Sequence, residues 1–220
     1  MFAGHYAAAF AGRAAGPMVP LWVLFIAVQF VDFIWAGFIL AGIETAQIVP
    51  GFAQASNLDL SFMPYTHSFV GSLVWSVVFA GGYVLLARPQ DPWLAALVTG
   101  GAVFSHWLAD LLVHLPDLPI VFGEPKVGFG LWRSLLWSQV LEVGLLIAGT
   151  LWYVRVTEPK GFLGKAAPWI LLAILLGMQT ISHLPAEEYP SIEGFAVQAL
   201  LAFTVLVVAA AFVDATRRAR

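Results

Sequence analysis

The sequence contains no cysteine and very little charge. Without thiols there can be no disulfide, thiolate metal ligand or cysteine nucleophile, so any bound metal must be held by histidine and carboxylate. Only 10% of the 220 residues are charged, against about 25% in an ordinary soluble domain. The net charge is -3, and the few basic residues stand at the ends of apolar runs instead of forming a patch, which argues against a nucleic-acid partner. The opening stretch, Met1 to Gly16, lacks the positive start, apolar core and cleavage site of a signal peptide and is expected to belong to the mature protein. No G-x-S-x-G elbow is present, so Ser68, Ser72 and Ser105 read as helix-packing groups before nucleophiles. No phosphate-cradling glycine loop occurs either. Gly81-Gly82 and Gly100-Gly101 lie inside apolar runs, where close helix packing accounts for them.

What is abundant is apolar surface: 60% of the residues are hydrophobic and the mean hydropathy is +0.87. A water-soluble fold of this size could not hide so much, so lipid is the expected solvent, and in lipid every backbone polar group must be satisfied internally. Long Leu/Val/Ala/Phe runs favour helices over the alternation of a barrel. Six stretches are long enough to cross a hydrocarbon core of about 30 Å: 20–43, 65–87, 92–115, 131–154, 167–184 and 194–214. Proline and glycine punctuate the connections, at Pro50-Gly51, Pro89 and Pro92, Pro116, Pro119 and Pro125, Pro159 and Gly161, and Pro185 and Pro190. With no internal repeat or linker, the expectation is one all-α, polytopic membrane bundle of six transmembrane helices, spanning residues 1–220.

Lys and Arg set the orientation. A cytoplasmic N-terminus puts Arg13, Arg88, Arg155, Lys160, Lys165, Arg217, Arg218 and Arg220 inside and leaves only Lys126 and Arg133 outside. Both termini are therefore expected in the cytoplasm, with Glu44, Asp59, Asp117, Glu124, Glu187, Glu188 and Glu193 in the outer loops. Trp22, Trp93, Trp132 and Trp169 fall near span ends, where interfacial anchoring is expected.

Ionisable groups inside spans are costly, by roughly 2.5–3.5 kcal/mol each, and so are functional candidates. His106, Asp110 and His114 stand at i, i+4 and i+8 in the third span; each step of four turns only about 40° past a full turn, which keeps all three on one face. Imidazole and carboxylate suit zinc, iron or manganese, and an i, i+4 pair lets one helix supply two ligands. Others must come from elsewhere: Asp32 in the first span, His67 at the start of the second, Glu142 in the fourth. His67, His106, Asp110 and His114 are expected in the same outer half of the membrane. His5 precedes the first span, but a re-entrant helix over residues 2–15 would carry it about 12 Å deep from an interface at Arg13. A single such group, Glu142 or His183 for instance, is as well explained by a hydrogen bond between helices, and His106 with Asp110 by a structural ion pair. So many in one leaflet are harder to explain structurally.

Thr66-His67-Ser68 and Ser105-His106 with Asp110 resemble the Thr-His-Ser and Ser-His-x-x-x-Asp motifs of a bacterial inner-membrane family of metal-dependent hydrolases. Its early His and its Asp in the first hydrophobic segment are matched more loosely by His5 and Asp32. The resemblance covers roughly residues 1–120. A basic residue and a first His that precede the family's Thr-His-Ser are absent here, and Val31-Asp32 replaces its Pro-Asp pair.

The resemblance implies a hydrolase of a lipid or another membrane-embedded ester or phosphodiester. Its metal, zinc foremost with iron or manganese as alternatives, would be held by His5, His67, His106 and Asp110. Water activated by the metal would be the nucleophile, with Asp32 or His114 handling protons. Membrane lipids and other membrane subunits are the expected partners. Two further readings stand beside it: an intramembrane proton relay through His106, Asp110, His114 and Glu142, and a non-catalytic accessory subunit of a larger membrane complex.

Overall fold

A computed structural model describes residues 1–184 and 189–220; Pro185, Glu187 and Glu188, assigned above to an outer loop, lie outside the described residues. The chain begins with a 3-10 turn, Ala3–His5, that runs into α1, Tyr6–Ala15. A short helix, as considered for the N-terminus, is thus present, and it packs within the bundle against α2, Leu21–Val28, α5, Pro92–Val113, and α6, Leu135–Val156. Its alanines allow that approach. At the crossing with α6, a side chain added at Gly149 would stand 2.9 Å from the Ala7 carbonyl oxygen and 3.0 Å from its Cα, so the two backbones meet as small residues permit in membrane bundles.

The first span is not one helix. The expected 20–43 run divides into α2, Leu21–Val28, and α3, Phe30–Leu40, bent by 50° at Gln29. Apolarity continues across the break, which is why hydropathy reads it as unbroken. The break has a use: last-turn carbonyls of a helix lack intrahelical partners, and that of Val28 is turned to His106 instead.

Residues 45–62, expected as a loop, form an antiparallel hairpin of β1, Thr45–Ala53, and β2, Ser56–Phe62. Asn57-Leu58-Asp59-Leu60-Ser61-Phe62 alternates polar and apolar with the period of a strand, a signal overshadowed by the longer apolar runs. Gly51 adopts φ +77° in β1, where a side chain would be strained, and Asn57 accepts its N–H at 2.9 Å. Ala46, Ala55 and Leu60 turn inward and cover one end of the bundle.

The remaining spans follow as α4, Phe69–Ala87, and α5, Pro92–Val113, then the short pair β3, Leu118–Pro119, and β4, Lys126–Val127, then α6, Leu135–Val156. The strand β5, Thr157–Pro159, α7, Gly161–Ile181, α8, Ile192–Ala215, and β6, Arg217–Ala219, complete the chain. Starts are capped as the chemistry of exposed N–H groups demands: Ser68, Asp91 and Ser191 accept from Gly71, Leu94 and Gly194. α6 starts four residues later than expected because Leu131–Arg133 forms a separate 3-10 turn. α7 starts six residues earlier and takes Pro168 inside it. Proline deprives the carbonyl four residues back of its N–H, and that carbonyl, Gly164, accepts from the buried Arg217 guanidinium, which also bonds Thr157 Oγ1, Thr157 O and Val154 O.

Among the described residues, five continuous helices, and a sixth span if α2 and α3 count as one, are long and apolar enough to cross a membrane. Tyr6, Phe10, Phe25, Leu146, Leu171 and Leu206 are buried at the centre, while Val77, Leu86, Leu97 and Val208 face outward. An apolar exterior of this kind is that of a protein solvated by lipid. Of the glycines expected to allow close packing, Gly100 does so against Ser76 and Ala80; Gly81, Gly82 and Gly101 have nothing within 4 Å of a notional Cβ. Trp22 and Trp93 are exposed at helix starts, as anchors would be; Trp169 is exposed but lies eight residues into α7 because that helix starts earlier than expected, and Trp132 is only 6% exposed.

Candidate metal centre

The elements that matter meet beneath the β1–β2 hairpin. α5 presents His106 and Asp110 inward, and His114 caps its C-terminal end. All three are buried, so the face assigned to the bundle interior does lie there. The end of α5 is held by the following loop, where Phe129 N–H donates to Leu111 O at 2.8 Å and Gly130 N–H to His114 O at 2.7 Å. Asp32 sits in the first turn of α3, where the positive end of the helix dipole favours a carboxylate. His67 lies just before α4, and the 3-10 turn ahead of α1 carries His5.

These six residues converge. Asp110 Oδ2 is 3.1 Å from His106 Nε2 and 4.0 Å from His67 Nε2. Asp110 Oδ1 is 3.2 Å from His5 Nε2 and 3.6 Å from His114 Nε2. Asp32 Oδ1 lies 3.2 Å from His67 Nε2 and 3.6 Å from His106 Nε2. The ligand atoms of Asp32, His67 and His106, and those of His5, His106 and Asp110, fall within 4.8 Å of one another. The Met1 α-amino nitrogen also reaches Asp110 Oδ1, at 2.6 Å.

Hydrogen bonds fix which nitrogen of each ring faces inward. The Glu44 carboxylate accepts the Tyr65 and Thr66 N–H groups at 2.8 and 3.0 Å and the Thr66 hydroxyl at 2.6 Å. With its one proton given to Glu44, Thr66 Oγ1 accepts from His67 Nδ1–H, 2.8 Å away. His106 Nδ1–H donates to Val28 O at 2.7 Å, and His114 Nδ1–H to Asp117 Oδ1 at 2.9 Å. All three rings thus hold their Nε2 toward the carboxylates, the arrangement that orients metal-ligating histidines. If these rings are neutral, lone pairs face carboxylate oxygens across 3–4 Å gaps, and a cation between them resolves the repulsion. Protonation of two of the rings would relieve the same repulsion, since two imidazolium ions balance the two carboxylates. His5 is buried, and although its Nε2 lies 3.2 Å from Asp110 Oδ1, neither of its nitrogens makes a well-directed hydrogen bond among the described residues.

Besides Val28, which sequence spacing does not pair with His106, three residues assigned elsewhere by the sequence belong to this arrangement. Glu44 was placed in an outer loop but is buried 22 positions from Thr66, and nothing in the spacing pairs them. Asp117, likewise assigned to a loop, orients His114. Trp132, expected as an interfacial anchor, is turned inward against the His114 ring, with centroids 4.1 Å apart, because the 3-10 turn at Leu131–Arg133 folds back beneath the hairpin.

Glu142 lies near the cluster but faces the backbone: its Oε2 accepts the N–H groups of Phe2 and Gly4 at 3.0 and 3.1 Å. His183, at the end of α7, pairs with Gln139 of α6, the interhelical bond considered for it. Ser68, Ser72 and Ser105 are occupied with backbone groups.

A cavity of about 500 Å³ opens onto the cluster. Asp32, His67, Asp110 and His114 line it together with the apolar Trp35, Leu60, Phe195 and Phe203 and with polar groups such as Asn57 and Gln198. Comparisons with known protein families, with curated proteins and with solved structures give no match.

Proposed function

We propose that the chain is a metal-dependent membrane hydrolase whose centre is built from His5, Asp32, His67, His106, Asp110 and His114. The observation that carries this reading is the shared posture of His67, His106 and His114: each has Nδ1 bonded outward to a protein acceptor and Nε2 aimed at Asp32 or Asp110. A divalent ion held there, zinc foremost, would supply Lewis acidity to activate water and polarise an ester or phosphodiester oxygen. Glu44, Val28 and Asp117 hold the three rings in the required tautomer. Asp32 turns Oδ1 toward His67 and His106, and its other carboxylate oxygen, on a residue that lines the cavity, is the one left to take a proton from water. The apolar cavity wall would keep bulk water away and accept the chain of a lipid or another membrane-embedded ester.

The location that fits is a bacterial inner membrane with the C-terminal end and Arg13 on the cytoplasmic side; the expectation of a cytoplasmic N-terminus does not fit Met1, which is buried with its nitrogen 2.6 Å from Asp110 Oδ1. Leu21 N–H and Arg13 both reach Asp214, and Lys160 reaches Ala215 O, so residues from both ends of the chain share a basic end of the bundle. The metal cluster lies at the other, under the hairpin. A proton relay has weaker support, since Glu142 is committed to two backbone N–H groups.

Elemental analysis of detergent-purified protein is the direct test. Stoichiometric divalent metal is expected in the wild type and is lost in His106→Ala, with hydrolysis of a chromogenic phosphodiester in micelles lost alongside. Metal-free wild type prepared without chelator would leave the accessory-subunit reading as the better one.

A further inference from the structure

The ring planes of His5 and His106 bear on how many ions the cluster can hold. An imidazole nitrogen offers its lone pair in the plane of its ring, so two histidines can share an ion only where their planes meet. His67 and His106 meet that condition: their planes cross at 70°, and both Nε2 atoms flank Asp32 Oδ1. His5 and His106 do not. Their rings are stacked with centroids 3.8 Å apart and planes inclined by only 6°, so an ion in the plane of one lies a stacking distance outside the plane of the other. Closeness alone groups His5, His106 and Asp110, but lone-pair direction separates them.

The Asp110 carboxylate divides along the same line. Oδ2 faces His106 and His67; Oδ1 faces His5 and His114. The Met1 α-amino nitrogen, 2.6 Å from Oδ1, occupies that side, and an ion held there takes the place of its proton. Ions lying in two ring planes stacked in this way stand at least an interplanar spacing apart, which the roughly 3.5–4 Å between ions in two-metal hydrolytic sites allows.

Resting on the metal-hydrolase reading above, we propose that the centre is dinuclear, with Asp110 as the bridging carboxylate. One position is made by Asp32, His67, His106 and Asp110 Oδ2, the other by His5, His114 and Asp110 Oδ1. His114 is then a ligand, not the proton carrier expected from its place in the sequence. His5, whose Nε2 faces Asp110 Oδ1 at 3.2 Å without a well-directed hydrogen bond, acquires a ligating role. Among the ester classes, a pair of ions at this spacing favours a phosphoester, whose attacking and leaving oxygens both carry negative charge to be clamped.

The test uses the full chain in detergent, stripped with chelator, reloaded with Mn(II) and freed of excess ion. Mass-spectrometric metal analysis is expected to give two ions per chain, and electron paramagnetic resonance an exchange-coupled Mn(II) pair. His114→Ala, checked for a monodisperse folded species by size exclusion, is expected to keep one uncoupled ion. One uncoupled ion in the wild type overturns the dinuclear proposal and leaves the hydrolase reading standing. No ion in the wild type overturns both. Two coupled ions retained in His114→Ala overturn the assignment of the second position. Should that variant fail to fold, the wild-type ratio and its coupling decide the matter alone.

Discussion

Thr66 Oγ1 and His67 Nδ1 lie 2.8 Å apart, and the direction of the proton between them is set by a third residue, Glu44, whose carboxylate takes the only proton Thr66 has. An adjacent pair in the sequence thereby becomes part of a chain running from a buried carboxylate, through a hydroxyl, to the face of the candidate metal centre.

Thr66→Val keeps the shape but removes that acceptor, so His67 loses the bond that fixes its tautomer. Loss of such an outer partner typically weakens metal binding about 10–100-fold. Thr66→Ser, which keeps the hydroxyl, is expected to stay near wild type. Chelator-competition titration with Zn(II) measures both, and equal affinity for all three proteins would remove Glu44 and Thr66 from the centre.

Glu142 distinguishes anchoring from proton transfer. Glu142→Gln retains a carbonyl oxygen able to accept from Phe2 and Gly4, so metal content and activity should change little. Glu142→Leu offers no acceptor and is expected to release the N-terminal turn that carries His5, lowering metal content. A relay through Glu142 requires the opposite for glutamine, a loss of function with metal retained.

Gly149 lies where α1 crosses α6. A leucine there would have to displace the Ala7 backbone, and overpacking of this kind costs about 1–3 kcal/mol. A lowered thermal midpoint in detergent is expected for Gly149→Leu. No change for this variant would mean that α1 is less firmly seated than its burial indicates.

Arg217 secures the chain end by answering the Gly164 carbonyl that Pro168 leaves without a partner. Arg217→Met leaves buried carbonyls unpaired, at about 1–3 kcal/mol for each one fully stranded. The double variant Arg217→Met with Pro168→Ala restores an N–H to Gly164 O and is expected to recover part of the lost thermal stability.

Topology can be read with reporters. Fusions after Arg220 and within the β1–β2 hairpin near Asp59 are expected on opposite sides of the membrane, the first cytoplasmic. The same side for both would refute the six-span arrangement and with it the outward placement of the metal cluster.

Composition and hydropathy determined that this chain is a helical membrane bundle, because apolar length is a local property and lipid admits few backbone solutions. Spacing alone placed His106, Asp110 and His114 on one inward face, since helix periodicity is also local. The same runs concealed the break at Gln29, where apolarity continues although the backbone turns by 50°. The β1–β2 hairpin went unread because its alternation is short beside the helical runs. Only tertiary structure could bring Glu44 to Thr66, Asp117 and Trp132 to His114, and Val28 to His106. Those contacts depend on how separate segments pack, and no period in the sequence encodes that packing. The stacking of His5 on His106 is of the same kind: sequence supplied both rings, but the threading of α1 through the bundle decided that their planes run parallel.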